Sequence, residues 1–269
     1  MKTREFLKDI VERYIKHDVS QTAGQIAYFG FLSLFPFIVY MNLIIHQLHL
    51  STGDMMSVLT PLLPQQIANF IASYAEYIST ENSAWIMAIG IFSTVFLLSA
   101  VIRSMELAVA KAYGIKDRRT FFKSIVVSII SVLCIGLMLV AAAVFIILSR
   151  RPVRYVLDFL GLADMVGIVL ILKWAFVIFL MILVFSLIYK LIPNKKITFS
   201  SVVPGTVFAV VGFLVLSAAF GIYVSFAVGA ASIYGYIGTV FVALIWIYYI
   251  GTIFILGAEI NGYFDSKKK

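Results

Sequence analysis

The sequence predicts an all-α polytopic membrane protein: a bundle of six transmembrane helices, with amphipathic interfacial helices at the N-terminus and in the first outer loop. Three observations carry this expectation. Of 269 residues, 62% are hydrophobic and 13% charged, and the mean hydropathy of +1.03 is far outside the range of soluble domains. Six stretches are long enough to cross roughly 30 Å of hydrocarbon at 1.5 Å per residue. The basic residues sort onto alternate connections. Backbone polar groups in lipid must be satisfied within the segment, and the apolar runs are continuous. Helices are therefore expected and a β-barrel is not.

The chain divides into an N-terminal amphipathic unit (1–25), one transmembrane domain (26–262) and a basic tail (263–269). Met1–Ser20 is charged throughout and has no apolar core of the kind a cleaved signal peptide needs. Phe6, Leu7, Ile10, Val11, Tyr14 and Ile15 recur at helical spacing, with Lys8, Glu12, Arg13 and Lys16 between them. That pattern is an interfacial helix. The first span, Ile26–Leu48, contains Ser33 and Pro36. A proline there frees a carbonyl and bends the axis, which serves either a substrate path or a packed kink. In the connection that follows, Pro64 can open a helix. Ile67, Phe70, Ile71, Tyr74 and Ile78 then form an apolar stripe opposite Gln65, Gln66, Asn69, Ser73 and Glu76. This is a second amphipathic helix, lying on the membrane or capping the bundle.

The second span, Ala84–Ile102, continues helically to Ala110 and brings Arg103 and Glu106 onto one face. Near a helix end such a pair can snorkel, as a structural ion pair or as part of a polar site. The third span, Phe122–Leu148, holds the lone cysteine, Cys134, so neither a disulfide nor a thiolate metal cluster is available. The fourth runs from Met165 to Tyr189. Its Lys173, beside Trp174, either marks the outer surface of a late-starting helix or points into the bundle. The fifth, Val202–Val228, opens on Pro204-Gly205. Gly212, Gly221, Gly229, Gly235 and Gly238 follow, as close-packing positions or hinges. The sixth, Tyr236–Ala258, ends at Glu259 with Asn261 beyond. No topology rule requires an acid there. Arg103 is a candidate partner if the second and sixth helices touch.

Orientation follows from Lys and Arg. Residues 1–25 carry five, 111–123 five, 190–200 three and the tail three, whereas 49–83 and 229–235 carry none. Both termini are thus expected in the cytoplasm, and the net charge of +8 is mostly this signal plus attraction to anionic lipid. One outer connection breaks the sorting. It carries Arg150, Arg151 and Arg154, with Arg151, Arg154 and Asp158 spaced to share a helical face. There they do not set topology, which makes them either a solvated basic loop or ligands for an anionic headgroup, since arginine grips phosphate in bidentate fashion.

Three motifs carry a family resemblance. Ala23-Gly24-Gln25-Ile26-Ala27-Tyr28-Phe29-Gly30-Phe31-Leu32-Ser33-Leu34-Phe35-Pro36 resembles the N-terminal signature of the YihY/BrkB family, formerly named ribonuclease BN-like. Leu191-Ile192-Pro193-Asn194 with Val203-Pro204-Gly205 resembles a second. Tyr234-Gly235-Tyr236-Ile237-Gly238, Trp246-Ile247-Tyr248 and Gly257-Ala258-Glu259-Ile260-Asn261 resemble the C-terminal one. They cover roughly residues 20 to 262. The resemblance implies a bacterial inner-membrane protein with six spans and a tie to envelope lipids. It brings no catalytic residues to carry over.

Ribonuclease chemistry is not expected. Hydrolytic nucleases commonly cluster carboxylates or histidines around metal, but His46 and His49 are at the outer end of the first span and His17 is on the inner side. No phosphate-binding Gly-x-x-x-x-Gly-Lys-Ser/Thr loop and no nucleophile–histidine arrangement within one compartment is found. The reading is therefore a non-enzyme without cofactor or metal, partnered by membrane lipid, in particular anionic phospholipid, and not by nucleic acid. A homo-oligomer is compatible with it. The expected function is a transporter or flippase-like carrier of an anionic envelope lipid or another amphipathic substrate. The candidate ligands are Arg150, Arg151, Arg154 and Lys173 outside and Arg103, Glu106 and Glu259 inside. The structural or hinge positions are Ser33, Pro36, Pro204, Gly205, Gly235 and Gly238. A non-transport scaffold of the envelope, or an exporter of a small hydrophobic solute, is the alternative.

Overall fold

The computed structural model of the chain describes residues 2–47, 65–79, 84–115, 126, 129, 166–191 and 197–267. Among them every regular element is α-helical: α1 (Lys2–Lys16), α2 (Val19–Gln47), α3 (Gln65–Ser79), α4 (Ala84–Ala112), α5 (Val166–Leu191) and α6 (Phe199–Lys267). The expected third span, with Cys134 and apart from Val126 and Ile129, and the arginine loop lie outside the described residues.

Within the described residues four stretches are long and apolar enough to cross a membrane: Ala88–Ala112, Trp174–Leu191, Phe199–Tyr223 and Val240–Lys267. Their outward faces are apolar at helical spacing. On α4, Trp85, Ile89, Phe92 and Phe96 are exposed, and on α6 so are Val203, Val207, Val211 and Val215. A water-soluble fold rarely leaves such stripes bare, whereas lipid tails cover them.

α6 holds both of the last two expected spans. Drawn straight, the residues from Gly205 to Asn261 would extend roughly 84 Å. Instead the Gly205 N–H donates to Asn261 Oδ1 at 2.7 Å. The element therefore doubles back between its arms Phe199–Tyr223 and Val240–Lys267. A loop at 229–235 is expected there, and helical geometry runs through instead.

Close approach without side-chain bulk holds the arms together. A Cβ on Gly205 would lie 1.9 Å from the Gly257 carbonyl oxygen, and one on Gly257 would meet the Tyr189 hydroxyl. That hydroxyl, fully buried, donates to the Phe254 carbonyl at 2.7 Å, and the ring stacks on Phe254 at 4.7 Å. Pro204, early in α6, has no N–H, and the Gly205 N–H after it is turned to Asn261. Ser186 donates to Thr206 across the α5–α6 contact. Such hydroxyl pairs glue helices where lipid supplies no alternative partner.

α2 packs along α4 and α6. Val39 fits against Gly90, and Ile26 against Gly251. The buried hydroxyls of Thr94, Ser99 and Ser104 on α4 donate to the carbonyls one turn back, which keeps them satisfied without a partner helix. Ser33 does likewise toward the Gly30 carbonyl at 2.7 Å. α2 runs on past Pro36 without losing its helical geometry. α3 buries Ile67, Ala68 and Ile71 and exposes Asn69, Ser73 and Glu76. Its Tyr74 meets Phe35 of α2 edge-on at 5.5 Å, so this helix packs against α2.

Substitution at two glycines tests the role of close approach. Gly205→Ala should lower the thermal midpoint of the detergent-solubilised protein by several degrees, because overpacking costs about 1–3 kcal/mol or more. Gly221→Ala, which meets nothing within 4 Å, should leave the midpoint unchanged or raise it slightly. Equal behaviour of the two variants would refute the close-approach account.

Candidate functional site

The ends of α1, α4 and α6 meet at one end of the bundle, and how each helix stops explains why. α4 terminates at Gly114 (φ 63°), with Gly114 N–H donating to the Lys111 carbonyl and Ile115 N–H to that of Ala110. This is the 5→2 and 6→1 pattern of a Schellman cap, which needs a left-handed residue. α1 ends at Asp18 (φ 54°), a left-handed position that Asp tolerates better than most residues. The Asp18 carbonyl then accepts from Thr22 N–H and opens α2.

Each of the two helix ends is capped by a cation from the other. Lys111 of α4 donates to the His17 carbonyl at 3.1 Å and pairs with Asp18 at 3.0 Å. Arg13 of α1 donates to the Ala112 carbonyl at 3.2 Å. Cations suit C-terminal carbonyls because the helix dipole is negative there. Gly262 makes the third approach: a Cβ on it would lie 2.1 Å from the Ala112 oxygen, so the last arm of α6 passes against the end of α4. Phe6 of α1 meets Tyr263 edge-on at 5.0 Å.

At the junction Glu259 is fully buried. Arg13 Nη1 lies 3.3 Å from its Oε2, and His17 Nδ1 lies 2.6 Å from its Oε1. A carboxylate only accepts, so His17 presents Nδ1–H to it. A buried anion is tolerated when it is paired and hydrogen-bonded on both oxygens. Asn261, also fully buried, gives Oδ1 to Gly205, while its Nδ2 has no protein partner among the described residues.

Beside this centre is a cavity of about 510 Å³, within the roughly 300–1,000 Å³ range of small-ligand sites. Arg13, Lys16, His17 and Lys111 line it together with Asp9, Glu12 and Asp265. Tyr113 adds a phenol: burial, with Asp265 next, pushes its hydroxyl well above the ordinary phenol range, so it stays protonated at any physiological pH.

Of the residues singled out in the sequence, Glu259 is at the heart of this site. Its carboxylate oxygens are met by Arg13 and His17, where the sequence offered Arg103 as a candidate partner. Arg103 and Glu106 are half-buried on α4. Arg103 is nine residues, roughly 13 Å, before the end of that helix. Lys173 is on α5, which is already helical from Val166, against a late start. Arg150, Arg151 and Arg154 lie outside the described residues. Gly205, after Pro204, meets Gly257 and Asn261 on α6. Gly235 and Gly238 lie in or near the bend, away from it in sequence. From sequence, Arg13 and His17 read only as inner-side charges. Their spacing of four, which puts both on one helical face, is the signal that could have found them.

Comparison with known proteins gives a consistent picture. Residues 10–269 match the family described as virulence factor BrkB. The chain is 29% identical to the ribonuclease-like protein YfkH of Bacillus subtilis, over 98% of this chain and 96% of that protein. It is 25% identical to a UPF0761 membrane protein of Pseudoalteromonas translucida, over 93% and 83%. It is also 24% identical to a UPF0761 membrane protein of Mannheimia succiniciproducens, over 93% and 85%. No solved structure matches it.

Removing one member of the buried pair isolates its role. Arg13→Met should cost about 3–5 kcal/mol by stranding Glu259, a fall in thermal midpoint on the order of 10 °C. Adding Glu259→Met should restore much of it. Lys8→Met, which removes an exposed pair with Glu12 at 3.9 Å, should change the midpoint by less than about 2 °C. Additive losses in the double variant would contradict the pairing.

Proposed function

This chain is an integral membrane protein of the BrkB family, and from that footing we propose that it carries an amphipathic envelope lipid bearing an anionic group. The observation that carries the reading is the charged cavity at the meeting of three helix ends, beside helices whose outward faces are apolar stripes. A headgroup needs polar partners and its tails need a hydrocarbon-like path. Here the same helices, α4 and α6, carry both, the cavity at their ends and the stripes along their length.

The proposal includes six spans in the bacterial inner membrane with both termini in the cytoplasm, which puts the cavity at the inner leaflet. Support for that orientation comes from the basic residues of the N-terminal segment and of 111–123, whose flanking helices α1 and α4 converge at one end. The arginines of the 150–154 connection then serve the opposite leaflet. α1 lies at the inner interface: Leu7, Val11 and Ile15, on one face, are exposed, while Phe6 and Arg13 hold it to the bundle. The reading is of a carrier without catalytic chemistry. Among the described residues no group of three or more His, Cys, Asp or Glu is placed to hold a metal ion. The ribonuclease-like name belongs to the Bacillus relative and brings no nucleolytic residues with it.

Purified protein in vesicles loaded with a fluorescent phospholipid gives the test. Translocation above that of protein-free vesicles is expected. Arg151→Gln with Arg154→Gln should reduce it at least about tenfold, since each arginine lost removes a charge-assisted hydrogen bond of roughly 1.5–3 kcal/mol. No translocation, together with a stable co-purifying envelope enzyme, would favour a scaffold instead.

A further inference from the structure

The charge balance of the cavity says more than that it is polar. Three cationic side chains line it, Arg13, Lys16 and Lys111, against three carboxylates, Asp9, Glu12 and Asp265. Two of the cations are engaged elsewhere: Arg13 by the buried Glu259 and Lys111 by Asp18. Lys16 is the lining cation without an acidic partner among the described residues. The carboxylates are partly engaged too, Glu12 by Lys8. A purely anionic ligand would still find the carboxylates of Asp9, Glu12 and Asp265 beside that one cation. A purely cationic one would meet Lys16 with the Arg13 and Lys111 charges behind it.

We propose that the cavity binds a headgroup carrying both signs, a phosphate joined by a short linker to a primary ammonium, of the phosphoethanolamine type. The phosphate is placed at Lys16, with Lys111 and His17 bordering it. The ammonium is placed among Asp9, Glu12 and Asp265, where its three N–H donors find acceptors. A fixed array of both signs discriminates by repulsion as well as attraction, because a ligand lacking one charge leaves like charges facing it. Tyr113, held protonated, adds a neutral phenol to the wall and does not alter the balance. The cavity volume admits a headgroup, while acyl chains would pass to the apolar stripes of the same helices, α4 and α6. This inference rests on the carrier reading for the source of the ligand but not for the chemistry of the site.

The full-length protein in detergent, titrated with phosphatidylethanolamine, phosphatidylglycerol and phosphatidylcholine and followed by native mass spectrometry, tests it. Phosphatidylethanolamine should bind about tenfold more tightly than phosphatidylglycerol, which lacks the amine. It should also exceed phosphatidylcholine, whose methylated amine donates no hydrogen bond. Asp9→Asn with Asp265→Asn should erase that preference, and exposed Glu12→Gln, which leaves the packing untouched, should weaken it. Lys16→Gln should weaken all phospholipids together. Phosphatidylglycerol binding as tightly as phosphatidylethanolamine overturns the proposal, as does a preference that survives both carboxylate variants. Free O-phosphoethanolamine separates the sources: displacement of bound lipid assigns the site to the headgroup alone, and failure to displace assigns it to the intact lipid. Translocation without any headgroup preference would leave the carrier reading standing and remove this one. Preference without translocation would do the reverse.

Discussion

A single buried carboxylate organises this end of the molecule. Glu259 has no contact with solvent and is ligated by two side chains from the start of the chain, Arg13 of α1 and His17 just past its end. An unpaired charge in that position would be strongly disfavoured, so α1 must sit where it does for the last arm of α6 to pack at all. The same Arg13 also reaches the end of α4. One guanidinium thereby joins the first helix, the second expected span and the last, and the cavity is the space left beside that joint.

Away from this joint the bundle is held by shape. Gly205 against Gly257, Gly90 against Val39 and Gly251 against Ile26 bring backbones close where a side chain would stand in the way. The buried hydroxyls of α4 and of the α5–α6 contact are satisfied by their own helices or by a neighbour. This division fits a protein in lipid, where apolar contact between helices gains little over contact with acyl chains. Close packing and a few polar bonds must then do most of the specifying.

Much of the fold is legible from sequence because hydrophobic length is a strong signal. α4 and α5 fall within a few residues of expectation, and α2 begins about two turns before its apolar stretch. α3 is readable from Pro64 and the stripe at Ile67, Ile71 and Tyr74. The arms of α6 are expected but not the helical character of the bend between them, since glycine-rich sequence reads equally as a turn. The site is half legible. Glu259 stands out as an acid with no topological reason to be there, yet its partners do not. Arg13 and His17 lie 246 and 242 positions away. On an exposed-looking amphipathic helix, inner-side basic residues are so well explained by topology that a second role leaves no trace in composition. Arg103, nearer in helical order, is the natural guess. The left-handed turn at Asp18, which aims α1 back across the bundle, is a single backbone angle that the residue type permits without demanding.

The joint at Glu259 also has a consequence for how the protein is made. A ribosome adds on the order of 5–20 residues per second, so roughly 12 to 50 seconds separate the emergence of Arg13 from that of its carboxylate. Throughout that interval α1 lacks the carboxylate that binds Arg13 and His17, although the end of α4, about 100 residues on, can already meet it. Its exposed Leu7, Val11 and Ile15 and its basic flanks give it a resting place on the membrane surface meanwhile. The opening helix of the chain is thus among the last to complete its contacts, and a chain cut short before the final arm carries its own mark of incompleteness at the other end.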